Sequence, residues 1–230
     1  MSENIIHTAH SSNTTDLKMP VMNQLREQTQ QLHQQLENHP FNQALLNNCL
    51  PITSYRGLLN TLFNLHQLLE QHCTHHPHPA IQAVWQADLI KTQILAQDIA
   101  YLNAQYLTPP PPTPLTTLEF LATFNATEPA GTIEPWQLLG TLYVLEGSTL
   151  GARVLLPHLQ ITYGLQQQGL LYYHAYGENT LKHWQDFKTR MNTAIQAPTD
   201  QQAVLVSAKQ TFWYYQNLLT QLWEIQHESM

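Results

Sequence analysis

No stretch of this chain alternates apolar and polar residues for long enough to make a convincing strand. Apolar residues instead recur near every 3.6 positions through most of its length. That pattern restricts the 230-residue chain to an all-α fold. Val21, Leu25, Leu32 and Leu36 follow Pro20 and predict a first helix over about 21–38. A short helix over 41–49 ends before Pro51. Thr53 and Ser54 are candidate caps for a third, whose leucines from Leu58 to Leu69 make a broad apolar face to about residue 72. His75-His76-Pro77-His78-Pro79 breaks it, and helical spacing resumes over 80–105. Residues 108–114 are a stiff proline-rich connector. Thr116 with Glu119 forms a capping box for a helix over 117–125. Glu134-Pro135 opens a long helix to about 162, in which Pro157 predicts a kink or break. Gly164 and Gly169 mark a loop, Thr180 starts a helix to about 195, and Thr199 with Gln202 predicts a capping box for the last, to about 226. The expectation is a flexible tail over 1–20 and one domain over 21–227 with about eight helices.

Composition narrows the function classes. With 43% hydrophobic residues the chain can build a core, and its 27 glutamines cover helix faces that only 11% charged residues would leave bare. A net charge of −7 on nine basic residues argues against nucleic-acid binding. No run reaches the roughly 18 consecutive apolar residues of a membrane span. Two cysteines, Cys49 and Cys73, are no disulfide framework and suit a reduced cytoplasmic setting. Thirteen histidines are unusual for such a chain.

Two segments carry candidate chemistry. Gly147 and Gly151 lie four residues apart inside the long helix and share one face. Each costs about 0.5–1 kcal/mol against alanine, so the pair serves either close helix packing or a flat ligand lying on bare backbone. Ser148 offers a hydroxyl at the edge of that face. On the first helix, Thr29, His33 and Glu37 form one line beside the apolar stripe. His33 is either a half-exposed polar residue or an iron ligand oriented by Glu37.

Together these blocks resemble the haem oxygenase family. Leu25, Arg26, Thr29, His33, Glu37, Asn38 and Phe41 resemble its proximal helix, and Tyr143 to Arg153 its bacterial distal helix. Leu171 to Phe187 is similar to the branch found beside bacterial phytochromes, and Phe187 to Asn192 with Ala208 to Phe212 resembles the family's C-terminal helices. The resemblance implies a helical domain with haem, as substrate and cofactor, between a proximal and a distal helix. It implies that His33 is the iron ligand, with Thr29 beside it and Glu37 orienting it. Gly147, Ser148 and Gly151 would form the distal surface that confines oxygen. Arg26, Lys188 and Arg190 would neutralise the propionates, with Lys182 as a helper, and Tyr143 and Phe212 would wall the pocket. The implied products are biliverdin, ferrous iron and carbon monoxide, with O2 and electrons from a ferredoxin or similar donor. Ser148 stands where many members have aspartate, and Ala152 where a second glycine is common.

Two rival readings share the chain. One is a protein that binds or stores haem without turnover. The other is a di-iron oxygenase, for which His33/Glu37, His66/Glu70 and Glu224/His227 are the nearest pairs, although only the last has the Glu-x-x-His spacing. His72, Cys73, His75, His76 and His78 could gather a metal but read better as a solvated loop.

Overall fold

The computed structural model describes residues 19–125 and 133–228; the expected tail lies outside them up to residue 18. Among the described residues there are ten α-helices and no strand. They are α1 (Val21–Glu37), α2 (Pro40–Leu46), α3 (Ile52–Cys73), α4 (Pro79–Val84), α5 (Thr92–Gln105), α6 (Leu115–Asn125), α7 (Pro135–Tyr163), α8 (Leu171–His174), α9 (Thr180–Ala194) and α10 (Pro198–Glu228). Short 3-10 turns occupy Ala87–Leu89 and Gly177–Asn179. No helix among the described residues is long and apolar enough to cross a membrane.

α7 and α10 are the central pair. They approach closely at Gly140, where an added Cβ would lie 2.5 Å from Ser207 Cβ and 2.6 Å from the Val204 carbonyl. Thr141 and Thr211 hydroxyls bond across the same interface at 3.1 Å, and Ser207 donates to the Gln137 carbonyl at 2.8 Å. α1 packs on α10 and α9 rather than along α7. The core is apolar, from Leu25 and Phe41 through Leu59 and Leu62 to Leu138, Phe187 and Leu219.

The structure differs from expectation at several helix ends. Neither capping box forms. Pro114 supplies the carbonyl that opens α6, and the buried Thr116 N–H is taken instead by Gln221 Oε1 at 3.1 Å from α10. Ala197 does the same for α10, leaving Thr199 inside the first turn. Thr53 and Ser54 likewise fall inside α3, which starts after Pro51. In each case a nearby proline fixes the first helical turn earlier than the hydroxyl residue.

Pro157 does not break α7. Arg153, whose carbonyl loses its donor, and Pro157 both lie on the exposed face, where water can serve that carbonyl. Gly164 then ends the helix at φ 66°, the left-handed conformation a glycine adopts freely.

Residues 80–105 are not one helix, because Lys91 is buried and Glu70 of α3 accepts from the Lys91 and Thr92 N–H groups at 2.7 and 2.8 Å, capping a fresh start at α5. The histidine-rich segment is also not simply a solvated loop. His76 is buried, bonds the Ile133 carbonyl through Nε2 at 2.9 Å and accepts the His78 N–H. His39 and His78 each precede a proline and cap their helices, accepting N–H from Phe41 and Ala80 at 3.2 Å. Part of the histidine excess is therefore capping chemistry.

Candidate functional site

α1 and α7 are both fastened to α10 and meet where the Thr29 and Tyr143 hydroxyls are 3.4 Å apart. Both side chains are buried there. Burial pushes the Tyr143 phenol pKa up, while the Thr29 hydrogen bond and the Arg26 charge pull it back. One turn along each helix from this contact come the two candidate features, His33 on α1 and Gly147 on α7.

His33 is open to a ligand: its side chain is 59% exposed, and Nδ1 lies 3.3 Å from Glu37 Oε1. Glu37 thus engages one ring nitrogen and leaves Nε2 as the atom to ligate. The ring meets Phe212 of α10 edge-on at 6.4 Å, so the buried phenylalanine backs the histidine.

The α7 side distinguishes the two readings of the glycine pair. An added Cβ at Gly151 would meet nothing within 4 Å, and at Gly147 only the Trp184 ring at 3.7 Å. Among the described residues nothing packs against Gly151, and α9 reaches Gly147 only through that indole. The close-packing role belongs to Gly140, while Gly147 and Gly151 leave bare backbone facing open space. Bare backbone on α7 and an exposed imidazole on α1, each one turn from the Thr29–Tyr143 contact, suit a planar iron-bearing group.

Ser148 is exposed, donates back to the Leu145 carbonyl at 2.6 Å and also lies in hydrogen-bonding reach of the Tyr172 phenol. Tyr172 Oη is 3.2 Å from His66 Nε2 inside the core. Burial, helped by the Lys91 charge, pushes the His66 pKa down to about 3, so the ring is neutral. Sequence reasoning missed Tyr172, which sits 106 residues from its partner His66 and carries no local signal.

The basic residues separate. Arg26 is exposed and Lys188 half-buried, neither engaged by an ion pair among the described residues. Lys182 is engaged by Asp186 at 2.7 Å on the outer surface. Arg190 points to Asp88 at 3.7 Å, and His183 binds the same carboxylate at 3.1 Å. Asp88 belongs to a buried polar cluster in which Lys91 Nζ donates to Tyr176 Oη at 2.6 Å and lies 3.5 Å from Glu146 Oε1. Desolvation lowers the Lys91 pKa and raises that of Glu146, each partly offset by the other's charge. Glu146 immediately precedes Gly147, so this cluster anchors α7 from behind the open cradle.

The di-iron pairs are engaged elsewhere: His66 on Tyr172, and Glu70 on the α5 N-terminus. The His227 side chain lies outside the described residues. Among the described residues no three His, Cys, Asp or Glu side chains converge as a metal site. A surface depression of about 660 Å³ lies away from all of these residues, between α6, α7 and α10, lined by Phe120, Trp136, Val206 and Tyr214 among others. Ser148 and Gly151 are exposed, so this face of α7 is open to solvent.

Comparison with known proteins gives the family and the fold. The family model described as Heme oxygenase matches residues 19–221. Among solved structures, heme oxygenase-1 from the cyanobacterium Synechocystis, in complex with heme, is 18% identical with a TM-score of 0.77, covering 92% of this chain and 96% of that one. Heme oxygenase-2 from Synechocystis, with heme and NO, is 21% identical with a TM-score of 0.78, covering 92% and 88%. A domain of unknown function with a heme oxygenase-like fold from Shewanella denitrificans is 15% identical with a TM-score of 0.67, covering 91% and 94%. At these identities the structures establish a shared fold. No curated protein matches the chain by sequence.

Proposed function

The chain belongs to the haem oxygenase family, and from that premise we propose that it binds haem between α1 and α7 and cleaves it oxidatively to biliverdin, ferrous iron and carbon monoxide. The observation that carries this reading is the presence of an exposed, Glu37-oriented His33 together with a glycine face of α7 that, among the described residues, only the Trp184 ring borders. Haem supplies the redox chemistry when bound, and the protein holds it and shapes the oxygen side.

In this reading His33 Nε2 ligates the iron, and Glu37 at Nδ1 fixes the ring plane and favours ligation. Phe212 supports the imidazole. Gly147 and Gly151 would let the α7 backbone come close to bound haem and leave room beside it for a molecule no larger than O2. Ser148 offers a neutral hydroxyl there, and Tyr172 with neutral His66 continues a hydrogen-bonded path into the core. Arg26 and Lys188 are placed to meet the propionates. Arg190 would join them by releasing Asp88. Electrons come from a ferredoxin or similar donor, in the reduced cytoplasm that the free thiols Cys49 and Cys73 suit. The likeness of residues 171–187 to the phytochrome-associated branch is part of the same proposal.

The test is the visible spectrum of the protein with one equivalent of hemin, followed in air after ascorbate with catalase present. Loss of the Soret band with growth of biliverdin absorbance is expected, and His33→Ala should lose the axial-ligand spectrum. A stable reduced or oxygenated complex would instead identify a haem-binding protein without turnover. No Soret shift would overturn the pocket.

A further inference from the structure

α9 packs on both α7 and α1, which carry the two candidate features. Among the described residues its Trp184 ring is the only group within 4 Å of a Cβ placed on Gly147, at 3.7 Å, and it lies 6.1 Å from the Tyr143 ring. At the other end, Asn192 accepts the Met22 N–H of α1 at 3.0 Å. Trp184, Lys188 and Asn192 are spaced i, i+4, i+8, so one face of α9 runs from α7 to α1 with Lys188 between its two anchors. His183 and Arg190 lie on a different face and bond Asp88, which fixes the rotation of the helix. Phe187 stacks under Trp184 at 5.6 Å with the planes 25° apart, so the indole is braced.

We propose that Trp184 sets the in-plane rotation of bound haem, and with it the meso carbon presented to the Gly147–Gly151 backbone. This rests on the haem oxygenase reading above. A flat macrocycle in the cleft has near-fourfold symmetry, so apolar contacts on iron's two faces do not distinguish its edges. The end wall does. A rigid indole beside the Lys188 cation excludes macrocycle rotations that bring a substituent onto the ring, while Lys188 selects the edge that carries the propionates. Trp184 contacts the substrate in this assignment and acts by shape. It moves no proton or electron.

The experiment is proton NMR of the ferric cyanide complex of the full chain, in which haem-methyl shifts report in-plane orientation independently of turnover. Wild type is expected to give one dominant set of methyl resonances. In Trp184→Ala the preference for one orientation should fall about tenfold, the scale of one lost apolar contact in a pocket, so that a second set appears at comparable intensity. The biliverdin isomer ratio should broaden in parallel. Trp184→Phe, which keeps an aromatic wall, should restore the single pattern. If far-ultraviolet circular dichroism shows that the alanine variant does not fold, Trp184→Leu serves the same comparison. A methyl pattern in the alanine or leucine variant identical to wild type overturns the proposal while leaving haem binding intact. Absence of a haem complex in wild type overturns the function and this inference together.

Discussion

A methyl group added at Gly140 would fall 2.5 Å from Ser207 Cβ, whereas one at Gly151 would meet nothing within 4 Å. The two glycines therefore serve different ends, and substitution separates them. Gly140→Ala should destabilise the fold by about 1–3 kcal/mol, the usual cost of overpacking, seen as a lower denaturant midpoint. Gly151→Leu should leave that midpoint nearly unchanged yet abolish productive hemin binding, because the larger side chain fills the cradle. Wild-type-like haem turnover in Gly151→Leu would refute the cradle. This division was not legible in the sequence. Gly140, Gly147 and Gly151 lie on one stripe of α7, and only the crossing point of α10 decides which of them is covered. His33 and Glu37 were legible, because their i, i+4 relation is local. Arg190 was less so: its partner Asp88 lies on a turn about a hundred residues earlier, and no spacing rule connects them.

Helices were read well from apolar period and badly at their ends. Thr116 with Glu119 and Thr199 with Gln202 satisfy the capping pattern, but Pro114 and Pro198 fix an earlier first turn. The partner that serves Thr116, Gln221, comes from a different helix. The same cross-element logic governs α3, which places His66 against Tyr172 and Glu70 on the start of α5. It also makes α3 acid-sensitive. His66 has its pKa lowered by burial from 6.5 to about 3, so between those values the unfolded chain binds a proton that the folded one excludes. Stability is then fully present above the unfolded value and falls as pH drops through the window, by up to about 1.4 kcal/mol per pH unit. From neutrality to about pH 5 this one residue should cost about 2 kcal/mol. Denaturant unfolding at both pH values checks it: His66→Gln, which retains a polar partner for Tyr172, should lose correspondingly less than wild type. Equal losses would assign the acid sensitivity to other groups.

At the scale of the molecule, the fold fastens α1 and α7 each to α10 rather than packing them along one another, and the Thr29 and Tyr143 hydroxyls meet between them. The apolar core is legible in the sequence, but this placement is not, because it depends on how two helices far apart in the chain lean on a third. Such an arrangement leaves the outer turns of α1 with few tertiary partners: His33, Gln34, Gln35 and Glu37 are all exposed. A ligand coordinated by His33 and lying on Gly147 and Gly151 would bridge the two helices and supply the missing contacts. Binding that favours the native state adds about 2.7 kcal/mol at a free ligand concentration of 100 Kd, which for a chain of this size amounts to a rise of about 5–10 °C in Tm. Thermal unfolding with and without hemin should show that rise, and His33→Ala should lose most of it. Hydrogen exchange locates the effect, since protection should increase in the second half of α1 and around Gly147, with little change in α3 or α5. Haem-induced protection confined to the depression between α6 and α10 would place the ligand there and reject the α1–α7 cleft.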